Sequence, residues 1–261
     1  MKAKILLDDE LPKVPRGSVE KVVRDAGIEV TSRNPDVGIV VGGDGVFSRF
    51  GRTESVPLLF VGVRSGSATG SKAYLSTVSF DELPGALASL AAGKYKVKQS
   101  RRLEVKKQGR SLGTVYTDVY LQRGAESNAI RYGVKVSGPQ SFDEAAIGDG
   151  IVVTTAAGST GYYSYVEKMR GDALEPSAHS MLRDDQVGVC HIVPTYSVRV
   201  GTGEHPLRYA LPWGSKVEIS MTRPADARLY GVGPDRGGVR VTTGEIISIL
   251  PSDATTKTLV L

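Results

Sequence analysis

Short apolar runs punctuate the start of the chain, first from Ala3 to Leu7 and then from Val37 to Val41, where the run stops abruptly in glycines. Continuous apolar runs of this length read as strands buried on both faces. Between them, Ser18 to Ala26 places Val19, Val22, Val23 and Ala26 on one helical face, with Ser18 as a cap and Gly27 just beyond. Pro57 introduces a third strand from Leu58 to Val63. From Ser79 to Ala92, Leu83, Leu87 and Leu90 recur at helical spacing, Gly93 closes the segment, and Pro84 falls in the first turns, where proline is tolerated. Strands alternating with helices predict a parallel α/β lobe over residues 1–95.

After Gly93 the pattern changes. Short alternating runs take over: Leu103 to Lys107, Thr114 to Leu121, Ile130 to Val136, Val187 to Val193, Lys216 to Met221 and Gly238 to Thr242. Gln108-Gly109 and Ser137-Gly138-Pro139 read as turns between them. This predicts an all-β lobe over residues 96–245, interrupted by one helix that starts near Ser159. No repeat, low-complexity tract or long linker separates the two regions. At 261 residues the chain sits near the size at which one core gives way to two.

Composition narrows the class. Hydrophobic residues make up 40% and charged residues 23%, enough apolar surface for a packed core, which excludes wholesale disorder. Cys190 is the sole cysteine, so neither an internal disulfide nor a thiolate metal cluster forms within one chain. No apolar stretch approaches the ~20 residues of a membrane helix and no signal-peptide core appears, so a soluble, cytoplasmic protein is expected. The net charge is +5, and Lys94 to Arg110 carries eight Lys or Arg against the single acid Glu104. That block reads as attraction for a polyanion or, because basic positions alternate with Tyr95 and Val97, as exposed strand faces; nucleic acid is the less favoured partner.

Two segments carry candidate chemistry. Gly42-Gly43-Asp44-Gly45 stands at the carboxyl end of a predicted strand, the edge where ligands bind in open α/β sheets. Its glycines let backbone N–H groups approach an anion, while Asp44 in a phosphate-binding turn has two uses: accepting a proton from an attacking hydroxyl, or holding a cation already on the phosphates. An Asp-Gly hairpin turn is the competing reading. Further on, Gly148-Asp149-Gly150 leads through Ile151-Val152-Val153 into Thr154-Thr155-Ala156-Ala157-Gly158-Ser159-Thr160-Gly161-Tyr162. There a strand gives way to a hydroxyl-rich turn that suits a nucleotide, although a plain helix cap accounts for either hydroxyl alone.

Taken together, the two segments resemble the NAD kinase family, whose wider fold is shared with lipid kinases and phosphofructokinases. The glycine-aspartate turn is common to all of these; Gly148 to Tyr162 is far more specific. Pro57 to Gly62, the Asp118 strand, Ile192-Val193-Pro194 and Gly244 to Ile249 add weaker matches. The resemblance implies a Rossmann-like α/β lobe, a β-rich sandwich lobe, and residues 246–261 packing back on the first. It also implies transfer of phosphate from ATP, or polyphosphate, to the adenosine ribose 2′-hydroxyl of NAD. On this basis Asp44 is the proton acceptor, with Gly42, Gly43 and Gly45 around phosphate. Thr117, Asp118, Asp149, Thr155, Gly158, Ser159, Thr160 and Tyr162 line the nucleotide. The cofactor is ATP with Mg2+, the partners are nucleotide substrates, no membrane is involved, and a homo-oligomer is expected.

The chain departs from the pattern at several positions. Thr117 and Arg64 stand where asparagines are expected, Ile147 where an arginine often precedes Gly148, and Ala156 and Gly161 where proline and alanine are usual. A late Asp-Gly has no counterpart in Leu229-Tyr230-Gly231-Val232-Gly233. These departures leave room for another hydroxyl acceptor, or for a nucleotide binder without catalysis. Elsewhere, Gly66 to Lys72 has the wrong spacing for a P-loop, and His179, His191 and His205 lack metal-ligand spacing. Trp213 and the eleven tyrosines are scattered, so no base-stacking platform is evident.

Overall fold

The computed structural model describes residues 1–8, 10, 13–63, 72–125, 128–166, 181–233 and 237–261; Arg64, the Gly66 to Ser71 segment and His179 lie outside them. The chain divides into two compact units, Met1–Ser100 with Thr255–Leu261, and Arg101–Ala254. The first unit holds strands β1 (Lys2–Leu6), β2 (Glu29–Val30), β3 (Val37–Gly42), β4 (Leu58–Gly62) and β5 (Val78–Ser79). All pair in parallel, β1 between β2 and β3, with β4 beside β3, and Thr258 near the chain end pairing with Leu58. Every residue of β3 and β4 is buried, as their unbroken apolar sequence predicts.

Three helices serve this sheet: α1 (Arg16–Asp25), α2 (Asp44–Thr53) and α3 (Leu83–Ala91). Helix α1 starts after Pro15, so Ser18 lies inside its first turn and does not cap it. Helix α3 starts at Leu83, because Val78–Ser79 pairs with β4 and Glu82 turns back to accept hydrogen bonds from the Ser79 amide and hydroxyl at 2.8 and 2.7 Å. Helix α2 escapes the sequence pattern. Gly45 and Gly51 lower its intrinsic propensity, and what holds it is tertiary: Phe47 is buried and stacks on Phe60, ring centroids 4.7 Å apart.

Chain passes into the second unit within β6 (Lys96–Lys107). There follow β7 (Arg110–Val115), β8 (Asp118–Arg123), β9 (Ile130–Ser137), β10 (Phe142–Gly148), β11 (Gly150–Thr154), β12 (Gln186–Ile192), β13 (Tyr196–Arg199), β14 (Arg208–Pro212), β15 (Lys216–Met221), β16 (Ala227–Tyr230), β17 (Val239–Val241) and β18 (Ile246–Val260). One antiparallel series runs β13-β10-β9-β15-β18 and another β14-β12-β11-β8-β16-β17. Alternate residues of both series, among them Val134, Val136, Val217 and Ile219 from the first and Val119, Leu121, Ile151 and Val189 from the second, share one core. The predicted Gln108-Gly109 turn joins β6 to β7, with both residues at positive φ (49° and 75°) as a tight hairpin requires. The basic block is this hairpin: Lys106 and Lys107 pair with Glu104 and Glu245, and Arg101 lies over the Trp213 ring.

Candidate functional site

In the first unit the Gly42 to Gly45 segment is a strand-to-helix junction, which removes the hairpin reading. Gly42 ends β3, Gly43 is the extended N-cap residue, and Asp44 opens α2. A Cβ at Gly42 would crowd the Val46 side chain at 2.9 Å, so glycine lets the helix turn tightly off the strand, while Gly45 is exposed with open space around it. No side chain caps α2, and its first amides are those a helix leaves without intrahelical acceptors. Both oxygens of Asp44 are engaged: Oδ1 accepts from the Leu75 amide at 2.8 Å and Oδ2 from the Tyr74 amide at 3.1 Å.

In the second unit the segment after β11 opens with two 3-10 turns, Ala156–Gly158 and Tyr162–Ser164, and becomes α-helical at Tyr165 and Val166, beyond which the predicted helix lies outside the described residues. Most of the hydroxyls and amides expected to face a nucleotide are consumed internally. Thr155 is buried, its hydroxyl donating to the Tyr116 carbonyl at 2.6 Å and its amide to the Thr117 carbonyl at 2.8 Å. Ser159, also buried, donates to the Ala156 carbonyl at 2.7 Å. These bonds explain why the run from Thr114 to Leu121, predicted as one strand, breaks at Tyr116-Thr117: the break receives the turn. A Cβ at Gly158 would fall on Thr154 Oγ1 and come within 2.7 Å of the Thr117 carbonyl, so only glycine fits. Thr160 is half-buried and Tyr162 is exposed; among the described residues neither hydroxyl has a hydrogen-bond partner.

The glycines flanking Asp149 have a packing role. A Cβ on Gly148 would lie 2.8 Å from Pro194 Cα, and Gly150, at φ 149°, passes against the Leu121 carbonyl. Asp149 itself pairs with Arg123, Oδ1 to Nε 2.9 Å, so its charge is matched within the unit. Asp118 is different. Its Oδ1 accepts from the Thr117 hydroxyl at 3.3 Å, no cation among the described residues forms an ion pair with it, and burial pushes its carboxyl up from the ordinary 3.8 to about 6.

Around Asp118 the structure gathers three rings that the sequence scatters. Pairing of β8 with β16 sets Tyr120 opposite Tyr230, the rings stacked at 5.3 Å, and Tyr162 meets Tyr120 at 5.4 Å with a 55° tilt. Gly231, at φ 89°, lies against the Asp118 carbonyl, where a Cβ would collide. Burial, with Tyr162, Asp118 and Tyr230 nearby, pushes the Tyr120 hydroxyl up to about 12.

A buried polar network, also unread in the sequence, lies behind β11. Glu144 is 2% exposed; it accepts from the Tyr209 hydroxyl at 2.7 Å and from Arg199 Nε and Nη2 at 3.3 and 3.2 Å. His191 Nε2 lies 3.3 Å from Glu144 Oε2, off the line of a hydrogen bond, and His191 Nδ1 is 2.9 Å from the Tyr132 hydroxyl, which donates to the Gly150 carbonyl at 2.6 Å. This ties β10, β12, β13 and β14 to the Gly148-Asp149-Gly150 corner. Among the described residues no group of three or more His, Cys, Asp or Glu is placed to hold a metal, and no helix is long and apolar enough to cross a membrane.

Of the residues singled out from sequence, the first unit brings together Gly42, Gly43, Asp44 and Gly45, and the second brings together Thr117, Asp118, Thr155, Gly158, Ser159, Thr160 and Tyr162, with Asp149 held by Arg123. No family model matches the chain. Among curated proteins it is similar to the NAD kinase of Thermoplasma volcanium, 24% identical over 249 residues that cover 95% of this chain and 82% of that one. It is 31% identical over 163 residues to the NAD kinase of Methanopyrus kandleri and 30% identical over 162 residues to that of Nitrosomonas eutropha. Those alignments cover 60% and 59% of this chain and about half the length of each relative, 53% and 51%. Among solved structures it resembles yeast NADH kinase complexed with NADH, with a TM-score of 0.71 at 14% identity, over 100% of this chain and 83% of that one. It also resembles an NAD kinase from Archaeoglobus fulgidus in complex with ATP, with a TM-score of 0.68 at 20% identity, over 99% and 93% of the two chains. With the strand-to-helix junction at Asp44 and the Gly148 to Tyr162 turn in place, the chain is similar to NAD kinases in sequence and shares the fold of the two solved kinases.

Proposed function

We propose that this chain transfers the terminal phosphoryl group of ATP to the adenosine ribose 2′-hydroxyl of NAD, giving NADP. The observation that carries the reading is the position of Asp44, a carboxylate on the first turn of α2 where β3 ends in glycine. Amides at such a helix start attract phosphate oxygens, and the exposed Gly45 leaves room for their approach. The acceptor hydroxyl gives its proton to the Asp44 carboxylate as the new oxygen–phosphorus bond forms; the bond from the γ-phosphorus to its bridging oxygen breaks, and ADP leaves. A loose transition state asks chiefly for alignment and charge neutralisation, to which the divalent cation bound to ATP contributes. Within the second unit, Asp118, Thr160 and Tyr162 are proposed as nucleotide-binding residues.

The Asp44→Asn variant tests this assignment. NADP formation from ATP, Mg2+ and NAD should fall by about 10²–10⁴-fold, the usual worth of a general base, while NAD affinity stays within about twofold. Wild-type protein that makes no NADP at high enzyme concentration would overturn the reading. One observation favours a second one, a nucleotide binder without turnover: the Tyr74 and Leu75 amides already occupy both Asp44 oxygens. It predicts nucleotide binding that neither wild type nor Asp44→Asn converts to product.

A further inference from the structure

The polar network behind β11 encloses a proton whose place follows from the hydrogen bonds around it. The side chains of His191 and Glu144 are fully enclosed. The Tyr132 hydroxyl has one hydrogen and keeps it, because burial, with Cys190, Glu144 and Tyr165 nearby, pushes its ionisation well above the ordinary phenol range. That hydrogen goes to the Gly150 carbonyl at 2.6 Å, so in the 2.9 Å contact between Tyr132 and His191 Nδ1 the ring is the donor. With Nδ1 protonated, a neutral ring would turn the bare Nε2 lone pair toward Glu144 Oε2, 3.3 Å away. Two lone pairs facing each other in the interior repel, and a proton on Nε2 removes the conflict. Glu144 already accepts from Arg199 and from the Tyr209 hydroxyl, as a carboxylate does, so that proton belongs to His191. The charges then balance, Arg199 and His191 against Glu144 and Glu204, the last 2.8 Å from Arg199. Of the other groups around the ring, Cys190 precedes it on β12, Tyr165 donates to the His191 carbonyl at 2.7 Å, and Arg208 on β14 donates to the Tyr163 carbonyl at 2.9 Å.

We propose that this buried proton is a switch for the Gly148-Asp149-Gly150 corner, with His191, Glu144 and Tyr132 as its positioning residues. While His191 is an imidazolium it donates to Tyr132, and the Tyr132 hydroxyl is directed onto the Gly150 carbonyl. As pH rises the ring gives one proton to solvent and becomes neutral. The tautomer that suits its surroundings then keeps hydrogen on Nε2, toward the Glu144 carboxylate, and leaves Nδ1 an acceptor. The Tyr132 hydroxyl turns to Nδ1, and the Gly150 carbonyl loses that donor. The corner so released carries Asp149, whose amide donates to the Ile192 carbonyl and whose carbonyl accepts from the Arg123 amide, each at 2.9 Å.

Nitrogen NMR of the histidine rings in the whole protein, with amide hydrogen exchange at Asp149 and Arg123, tests the switch between about pH 5 and about pH 10. At the acid end both ring nitrogens of His191 should carry hydrogen. As pH rises Nδ1 alone should lose its proton. In the same step, exchange of the two amides, corrected for the intrinsic effect of pH, should quicken by about tenfold, the scale of one lost hydrogen bond. Tyr132→Phe removes the hydroxyl, so these amides should exchange fast at every pH while His191 still titrates. Glu144→Gln sets an amide hydrogen beside Nε2 and should keep hydrogen on Nδ1 and slow exchange throughout, with no step. A ring that stays in one state across the range, loss of the proton from Nε2, titration without a change in exchange, or an unaltered step in Glu144→Gln would overturn the proposal. None of these measurements needs a nucleotide or turnover, so failure of the switch and failure of the kinase reading are separately visible.

Discussion

Asp118 shows how a single side chain can cost the fold stability. Its carboxyl is raised from 3.8 to about 6 by burial, ahead of the smaller opposing effect of the Thr117 hydroxyl. The folded protein therefore holds a proton between about pH 4 and pH 6 that the unfolded chain has released. Stability from this group is complete below the unfolded value, falls as pH rises through about 6, and by pH 7.5 has diminished by on the order of 2–3 kcal/mol. Asp118→Asn should accordingly raise the melting temperature at pH 7.5 and flatten the slope of stability between pH 4 and pH 6, as thermal scans across that range would show. A lowered melting temperature at pH 7.5 would count against it. A carboxylate retained at such a cost is what a ligand-binding residue looks like. The sequence marked Asp118 through its resemblance to the family, but not its surroundings: Tyr120, Tyr162 and Tyr230 meet only because β8 lies between β11 and β16, and no local spacing encodes that pairing.

Among the elements, legibility followed how much of the stabilisation is local. Strands β3, β4 and β15 have the apolar runs or strict alternation that burial demands, and they appear where the pattern places them. Helix α2 has no such signal, since glycines at 45 and 51 disfavour it and its support comes from Phe60, and from Thr256, whose hydroxyl donates to the Gly51 carbonyl at 2.6 Å. Phe47→Ala should cost about 3–5 kcal/mol and loosen the start of α2, lowering turnover along with stability; hydrogen exchange over residues 44–53 would report it. Strand β10 was hidden for the opposite reason. Its Phe-Asp-Glu-Ala-Ala sequence looks solvated, yet Glu144 is enclosed because Arg199, Tyr209 and His191 arrive from three other strands. Glu144→Ala leaves the Tyr209 hydroxyl without its buried acceptor while Arg199 keeps Glu204, so a loss of about 1–3 kcal/mol is expected, a few degrees in a thermal scan. A change under about 0.5 kcal/mol would show that the network relaxes or fills with water.

At the scale of the whole molecule, the chain leaves the first unit inside β6 and returns to it inside β18, so the last residues complete a core begun by the first. Leu259 is fully buried among Val19, Ile39, Val61 and Leu87, Thr258 pairs with Leu58, and the Thr77 hydroxyl donates to the Leu259 carbonyl at 3.1 Å. The same segment holds α2 through Thr256, and α2 carries Asp44. Removal of Thr255–Leu261 therefore takes a buried leucine, a strand neighbour of β4 and a support of α2 from the first unit, while the core of the second, drawn from residues 103 to 249, keeps every member. Losing Leu259 alone is worth about 2–5 kcal/mol, and small domains have only about 5–15 kcal/mol in total. The truncated protein should consequently lose hydrogen-exchange protection across β3, β4 and α2 and lose phosphotransfer, yet retain protection in β9, β11, β12 and β15. Leu259→Ala in the full-length chain should show a milder form of the same split. Protection lost evenly across both units would mean that they unfold as a single cooperative body, and that Asp44 depends on the entire molecule and not on the terminal segment.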